Sequence, residues 1–432
     1  MDIKISFLYF LSVIFFIALV MTYKRFQHVK KISLEFKKTM DMRLRDIHLV
    51  TDDDIKNSAL QNKIVIQPGT AIPLAEIKTI LAVKLDHIGD VLLTTPALKA
   101  LREYFPSARI VALVSQWTKD VLKNNPHVDE LLFFDFFPVA GRLSHLTRKR
   151  KSQLQHLLSP YSFDLAIDFR KEPETREVLT LANPRYTAGY GGHSLPFKLT
   201  VELPAFPRRI HRAEQFLDLV RALGAQTSAS EPTLYPSDED RSFARNFLAR
   251  HGVQPQDTLI GIHPGARDEI KQWFKERYAA LIDKLAAEFP HGKIFLFGGP
   301  LDKMFLLEIM SNTSAKPILC DSPFALLQFA AILEKMHVFI GNNSAPVHIA
   351  SAMKTPVVEI HSAFVDSREW SPYGKRNIIL EADIPCAPCH KTVCRTWYYE
   401  ERKPVPLFCL RLIHTEDVVR AVKKILDGSQ SS

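Results

Sequence analysis

KLDHIGDVLLTTPALKALREYFP, residues 84–106, overlaps the end of a β-branched, apolar run, TILAVKL (79–85), that fits a buried parallel strand. At Gly89 and Asp90 the pattern changes. From 90 to 105 the apolar residues Val91, Leu92, Leu98, Leu101 and Phe105 recur at helical spacing, so the stretch predicts a strand, a tight turn and a helix. The same unit repeats downstream, with strands expected at 109–114, 130–135, 163–169 and 186–190 and helices at 117–124, 141–158, 174–181 and 211–223. LYPSDEDRS (234–242) interrupts it with proline and charge. A second series follows: strands at 258–263, 293–297, 337–341 and 356–360, helices at 274–289, 301–311, 323–335 and 344–353. Two such series predict an α/β chain with two facing Rossmann-like, doubly wound domains, 76–235 and 236–428. Ligands in such sheets sit beyond the carboxyl ends of strands, so the site should be assembled from the turns.

The 432 residues, 46% hydrophobic and 10% aromatic, can fill more than one core. Lys and Arg exceed Asp and Glu by 56 to 47, a formal charge of +9 that suits nucleic acid, an anionic membrane or an anionic substrate without choosing between them. ISFLYFLSVIFFIALVM (5–21) carries no charge and is about the shortest run that spans hydrocarbon, so 1–23 reads as an N-terminal transmembrane helix. Lysines and an arginine crowd its far side, which puts the rest of the chain in the cytoplasm. A cleaved signal peptide is the alternative, but no small-x-small site follows the run. Residues 24–75 read as a basic juxtamembrane segment and linker, either lying on anionic headgroups or forming a solvated stalk.

Four turns carry chemistry. In DHIGD (86–90) Asp90 falls at or near a helix N-cap, where it either caps the helix or faces the cleft as a general base. HPGARDEIKQW (263–273) places Arg267 and Lys271 ahead of a helix, an arrangement suited to a phosphate, although a lone lysine is more often plain surface. FGGPLD (297–302) holds Gly298 and Gly299, where backbone can approach a ligand closely. GNNSAPVH (341–348) sets Asn342, Asn343 and Ser344 at a strand end with His348 a turn on; these suit sugar hydroxyls and phosphate oxygens, or else a helix cap and a packed histidine. Neither G-x-G-x-x-G nor G-x-x-x-x-G-K-[ST] occurs, so a standard Rossmann dehydrogenase and a P-loop NTPase are unsupported.

In this order and spacing the turns resemble glycosyltransferase family 9, the bacterial ADP-heptose:lipopolysaccharide heptosyltransferases. The likeness runs from about residue 78 to the last helix and is carried by 84–106, NPHVDELLFFD (125–135), FDLAIDFR (163–170), IGIHPGA with Lys271 and Trp273, LFGGPLD, and FIGNNSAPVHIASAM (339–353). It implies a GT-B fold, inversion at the anomeric carbon and no metal requirement for catalysis. By that likeness Asp90 is the catalytic base and Lys271 contacts the donor diphosphate. Gly265, Ala266, Gly298, Gly299, Asn343, Ser344, Ala345 and His348 would bind the donor, and Thr94 and Thr95 would shape the acceptor side. Two departures stand out: Asn343 occupies a position where the family usually has aspartate, and Ala345 one where it usually has glycine.

Four of the five cysteines, Cys386, Cys389, Cys394 and Cys409, crowd near the C-terminus, compatible with a structural zinc, with reduced thiols or with disulfides. Together these readings give a single-pass enzyme of the bacterial inner membrane with cytoplasmic catalytic domains. It would move a sugar, heptose or a relative, from a nucleotide sugar such as ADP-heptose to a lipopolysaccharide-core or other lipid-linked acceptor. The alternative of another class is a catalytically silent nucleotide-sugar or carbohydrate binding protein of the same fold. Nucleic-acid binding rests on charge alone, with no recognised motif.

Overall fold

The TILAVK run forms a strand, Thr79–Lys84, inside a seven-stranded sheet, and its last five residues are buried. The computed structural model describes residues 65–66, 72–137, 146–191, 199–204, 210–227, 231–391, 393–394, 398–400 and 403–429. The expected membrane anchor (1–23) and most of the 24–75 segment lie outside those residues. Among the described residues no helix is long and apolar enough to cross a membrane. Both sheets belong to one compact unit, Leu49–Ser432.

The first sheet takes β1 (Val65–Ile66), β2 (Thr79–Lys84), β3 (Arg109–Val114), β4 (Glu130–Phe133), β5 (Leu165–Asp168), β6 (Tyr186–Gly191) and β7 (Val201–Pro204), in the order β1-β7-β6-β5-β2-β3-β4. All neighbours are parallel except β1, which runs antiparallel along β7. After β2 the chain adds β3 and β4 on one side, then crosses to β5 on the other. That reversal opens a crevice beyond the end of β2. The strands of the second sheet are β8 (Thr258–His263), β9 (Gly292–Phe297), β10 (Ile318–Cys320), β11 (Val338–Asn342), β12 (Val357–Ile360) and β13 (Ile378–Leu380). That sheet, ordered β10-β9-β8-β11-β12-β13, is wholly parallel. Here the reversal falls between β8 and β11, which lie side by side with Gly341 opposite His263. A small antiparallel pair, β14 (Tyr398–Glu400) and β15 (Lys403–Val405), stands apart from both sheets.

Helix Ile88–Tyr104 runs on from β2 and buries an unbroken stretch from Val91 to Leu98. Pro96 has no N–H to give the Leu92 carbonyl one turn back, a loss that usually kinks or breaks a helix. The Thr95 hydroxyl replaces it, donating to Leu92 O at 2.8 Å, and its oxygen accepts from Thr233 N at 3.1 Å. The Thr-Thr-Pro run is therefore a self-repairing helix. Helix Asp238–Arg250 begins with a reciprocal capping box between Ser237 and Asp240 and packs on helix Leu326–Leu333. The two halves meet where helix Ala345–Ala352 packs on helix Ile88–Tyr104, within one apolar cluster fed by both sheets.

Several expected elements differ. The helix expected at 117–124 is a 3₁₀ turn, Gln116–Thr118, followed by one α-turn, Lys119–Leu122. The helix expected at 141–158 is described from Arg148, capped by Thr147. The strands β1, β7, β10 and β13 are two to four residues long, too short for periodicity to announce.

Candidate functional site

Asp90 is the third residue of helix Ile88–Tyr104, and His87 rather than Asp90 holds the cap position, without a side-chain cap bond. The expectation of an aspartate cap is corrected to that extent. A carboxylate in the first turn still faces the positive end of the helix. Its side chain is 20% exposed and lies 4.0 Å from Lys84 Nζ. Lys84 is the last residue of β2, buried, and also 3.1 Å from Asp86, while its ammonium sits 4.4 Å over the Phe216 ring. Arg170, just beyond β5, makes a second ion pair with Asp86.

The two acids are driven in opposite directions. Burial opposes ionisation of Asp86, but Lys84 and Arg170 outweigh it and hold that carboxyl below its ordinary value. Burial, aided by the neighbouring Asp86 charge, raises Asp90 above its ordinary value against the pull of Lys84. Two carboxylates whose environments split their protonation in this way divide naturally into a fixed charge and a proton acceptor.

The second half presents its turns to the same place. Arg267, after β8, donates to the His87 ring at 2.8 Å from Nε2, so the first and second turns touch. A Cβ on Gly89 would lie 3.6 Å from Cδ2 of His348, which packs beside the Asp90 turn. Burial lowers the His348 imidazole to about 4, and its Nδ1 is buried without a partner. Lys271 is half-buried with Nζ 5.0 Å from the Phe364 ring centre. Burial holds its ammonium below the ordinary lysine value, and both Glu359 and Asp90 act on its charge in the opposite sense.

Asn342 locks the two central turns together. Its Nδ2 donates to Pro264 O at 2.6 Å, and its Oδ1 accepts from Trp273 N at 3.1 Å and from the Tyr278 hydroxyl at 3.0 Å. A Cβ on Gly265 would fall 2.2 Å from Asp302 Oδ1 and displace that carboxylate, which accepts from Gly299 N at 2.9 Å. Gly298 is equally constrained by Leu306, whereas Gly299 has room. Ala266 offers its carbonyl to Gln272 at 2.6 Å. Gly265, Ala266, Gly298 and Gly299 are thus brought to one rim through Asp302 and Gln272.

Other expected site residues are placed differently. Thr94 and Thr95 are buried, and the Thr94 hydroxyl donates to Asp90 O at 2.9 Å, as that of Thr95 does to Leu92 O. They line the inside of the helix instead of an acceptor surface, because they share the face of Val91 and Leu98. Ser344 stands at the cap position of helix Ala345–Ala352 but makes no side-chain cap bond; its hydroxyl lies 3.3 Å from Asn342 O. Ala345 is the first residue of that helix. Asn343 is buried with its amide turned toward Glu359.

Cys386, Cys389, Cys394 and Cys409 all line one small cavity beside Phe364. All are free thiols, and burial with the neighbouring Cys386 and Cys394 pushes Cys409 up. Among the described residues no group of three or more His, Cys, Asp or Glu is placed to hold a metal ion. The sequence readings of these four thiols as zinc ligands or as free thiols thus converge on one cavity.

Residues overlooked in the sequence are Lys84, Asp86, Arg170, Glu359 and His361. For Lys84 and Glu359 a charge inside an otherwise apolar strand was the available signal.

Two largely parallel sheets, with the turn that carries Asp90 beside the Arg267 and His348 turns of the second half, have the architecture of a GT-B fold. Residues 152–399 match Glycosyltransferase family 9 (heptosyltransferase), and the chain belongs to that family. It is similar to lipopolysaccharide heptosyltransferase 3 of Escherichia coli (strain K12), 26% identical over 348 residues that cover 78% of this chain and 95% of that protein. A family 9 glycosyl transferase from Veillonella parvula DSM 2008 has a similar structure, with a TM-score of 0.69, 25% identity and coverage of 83% of this chain and 99% of that one. The E. coli ADP-heptose lps heptosyltransferase II shares the fold, with a TM-score of 0.62, 17% identity and coverage of 82% and 99%.

Proposed function

We propose that the chain transfers heptose from ADP-heptose to a lipopolysaccharide-core or other lipid-linked acceptor, with inversion. Asp90 takes the proton of the acceptor hydroxyl as that oxygen bonds to the anomeric carbon. The bond from that carbon to the diphosphate breaks, and its electron pair leaves with ADP. Lys271 meets the charge that develops on the leaving diphosphate, with backbone N–H groups at Ala266 and Ser344 as further partners. The observation that carries the reading is geometric: Arg267 beyond β8 donates to His87 at 2.8 Å and His348 packs against the Gly89 turn, so the Asp90 turn and the turns of the second half share one crevice. The donor is suggested by the name of the E. coli ADP-heptose enzyme with the same fold, and the acceptor by that of heptosyltransferase 3. The apolar run 5–21 and its basic flank support attachment to the inner membrane, beside a lipid-linked acceptor.

The test is to incubate full-length protein in nanodiscs with ADP-heptose and a truncated lipopolysaccharide core. The expected result is one added heptose per acceptor, stoichiometric ADP release and an anomeric configuration opposite to the donor's. Asp90→Ala should abolish transfer while leaving the melting shift caused by ADP intact. Transfer that survives Asp90→Ala would refute the base assignment, and donor binding without any transfer by the native protein would favour a silent binding protein.

A further inference from the structure

Asn343 has two amide hydrogens, and both are used inside the protein. Its Nδ2 donates to Oε1 of Glu359 on β12 and, at 2.9 Å, to the carbonyl of Trp370. Among the described residues none donates to its Oδ1. Glu359 is 0% exposed, in the second sheet, where a carboxylate is costly unless paired. It has a partner: His361 Nδ1 lies 3.2 Å from the same Oε1, and the far side of that ring is held by Val365 O at 3.0 Å. The Glu359 charge keeps His361 above its ordinary value, and His361 keeps Glu359 below its own. The remaining oxygen, Oε2, is buried and has no partner among the described residues. A carboxylate left half satisfied in a core is a poor stabilising device. Its position is better explained by what it does to Asn343, which opens the turn facing Lys271 and His348.

We infer that Glu359 is a positioning residue for the donor sugar: by taking the Asn343 amide N–H, it fixes that side chain so that only Oδ1 is left to meet a sugar hydroxyl. Asn343 then behaves as an acceptor-only ligand, like one oxygen of an aspartate, while the negative charge stays one strand away. This inference rests on the donor site proposed above. It has a sharp consequence, because positions 343 and 359 can hold one carboxylate between them but not two. Asn343→Asp alone sets two acids in contact, so the pair must either bear two repelling charges or take up a proton from solvent, at a cost that grows with pH. Adding Glu359→Gln supplies an amide that donates back to the introduced carboxylate and restores one charge per pair.

The experiment is a double-mutant cycle on N343D, E359Q and N343D/E359Q in the full-length protein. ADP-heptose affinity is read by calorimetry, donor KM and kcat by turnover, and folding by melting temperature. N343D should weaken donor binding by about tenfold or more, and the double variant should recover to within about threefold of the native protein. N343D that binds donor as well as the native protein, or losses that simply multiply in the double variant, would overturn the inference. So would a cycle that couples in melting temperature while donor affinity is the same in all four proteins, since that is a purely structural role. A native protein that binds the donor but transfers nothing would sink the transfer reading alone and leave the calorimetric cycle decisive for this one.

Discussion

Replacing Lys84 by methionine should move the pH profile of the reaction in a stated direction. Lys84 Nζ lies 4.0 Å from Asp90 and 3.1 Å from Asp86, in a site where the lysine side chain is 7% and the Asp90 side chain 20% exposed. At that separation and an effective dielectric of about 20, one unit charge acts on another with about 4 kcal/mol. Relaxation and entering water reduce this, so a pKa displacement on the order of one to three units is expected. The sign is fixed. Lys84 favours the ionised form of Asp90, so its loss raises a carboxyl that burial already holds above the ordinary value. A general base must be deprotonated to act, so activity falls as pH drops through its pKa, and the acid limb of kcat/KM should shift upward in Lys84→Met. The assay is ADP release from ADP-heptose at saturating acceptor across about pH 5 to 9, on protein first shown by melting to be folded. An acid limb that stays where the native one lies, in folded protein, would refute the coupling and with it the role given to Asp90.

Three further outcomes follow from the same geometry. Lys271→Met should lower kcat/KM for the donor by about 10²–10³-fold without lowering the melting temperature, because burial already disfavours the ammonium. Thr95→Val removes both the donor to Leu92 O and the acceptor for Thr233 N, so unfolding free energy should drop by about 1–3 kcal/mol, measured by denaturant titration with m unchanged. Burial lowers His211 and His348 to about 4 from an ordinary 6.5, so the unfolded chain binds more protons between those values and stability must fall as pH falls from 6.5 to 4. Each contributes roughly 3 kcal/mol at the lower end, opposed in part by His361, and a melting temperature flat across that window would contradict the burial of both rings.

The alternation of apolar runs and helical spacing made both sheets legible, and β8 begins and ends at the residues expected from TLIGIH. The turns were legible too, because glycine, proline and polar residues cluster where strands end. What stayed hidden lies inside the strands. Lys84 closes TILAVK and Glu359 sits within VVEI, each a charge in a run that otherwise reads as pure core. Sequence spacing does not reveal which buried charges face one another, since Asp86, the partner of Lys84, meets Arg170 only when β2 and β5 pair. The misplacement of Thr94 and Thr95 has a different origin. The family likeness set them on the acceptor side, although the helical period that identified the segment puts them inward with Val91 and Leu98.

The Thr95 hydroxyl also ties the proline defect to Thr233, in the stretch that leads from the first half to the second. Thr95 is five residues beyond Asp90, roughly 7–8 Å along the helix axis. A swing of the second half about that stretch would therefore pivot close to Asp90, the proposed general base. In such a movement the Lys271 turn would travel while the Asp90 carboxylate stayed almost still, so the proposed acid would be the fixed reference for the second half.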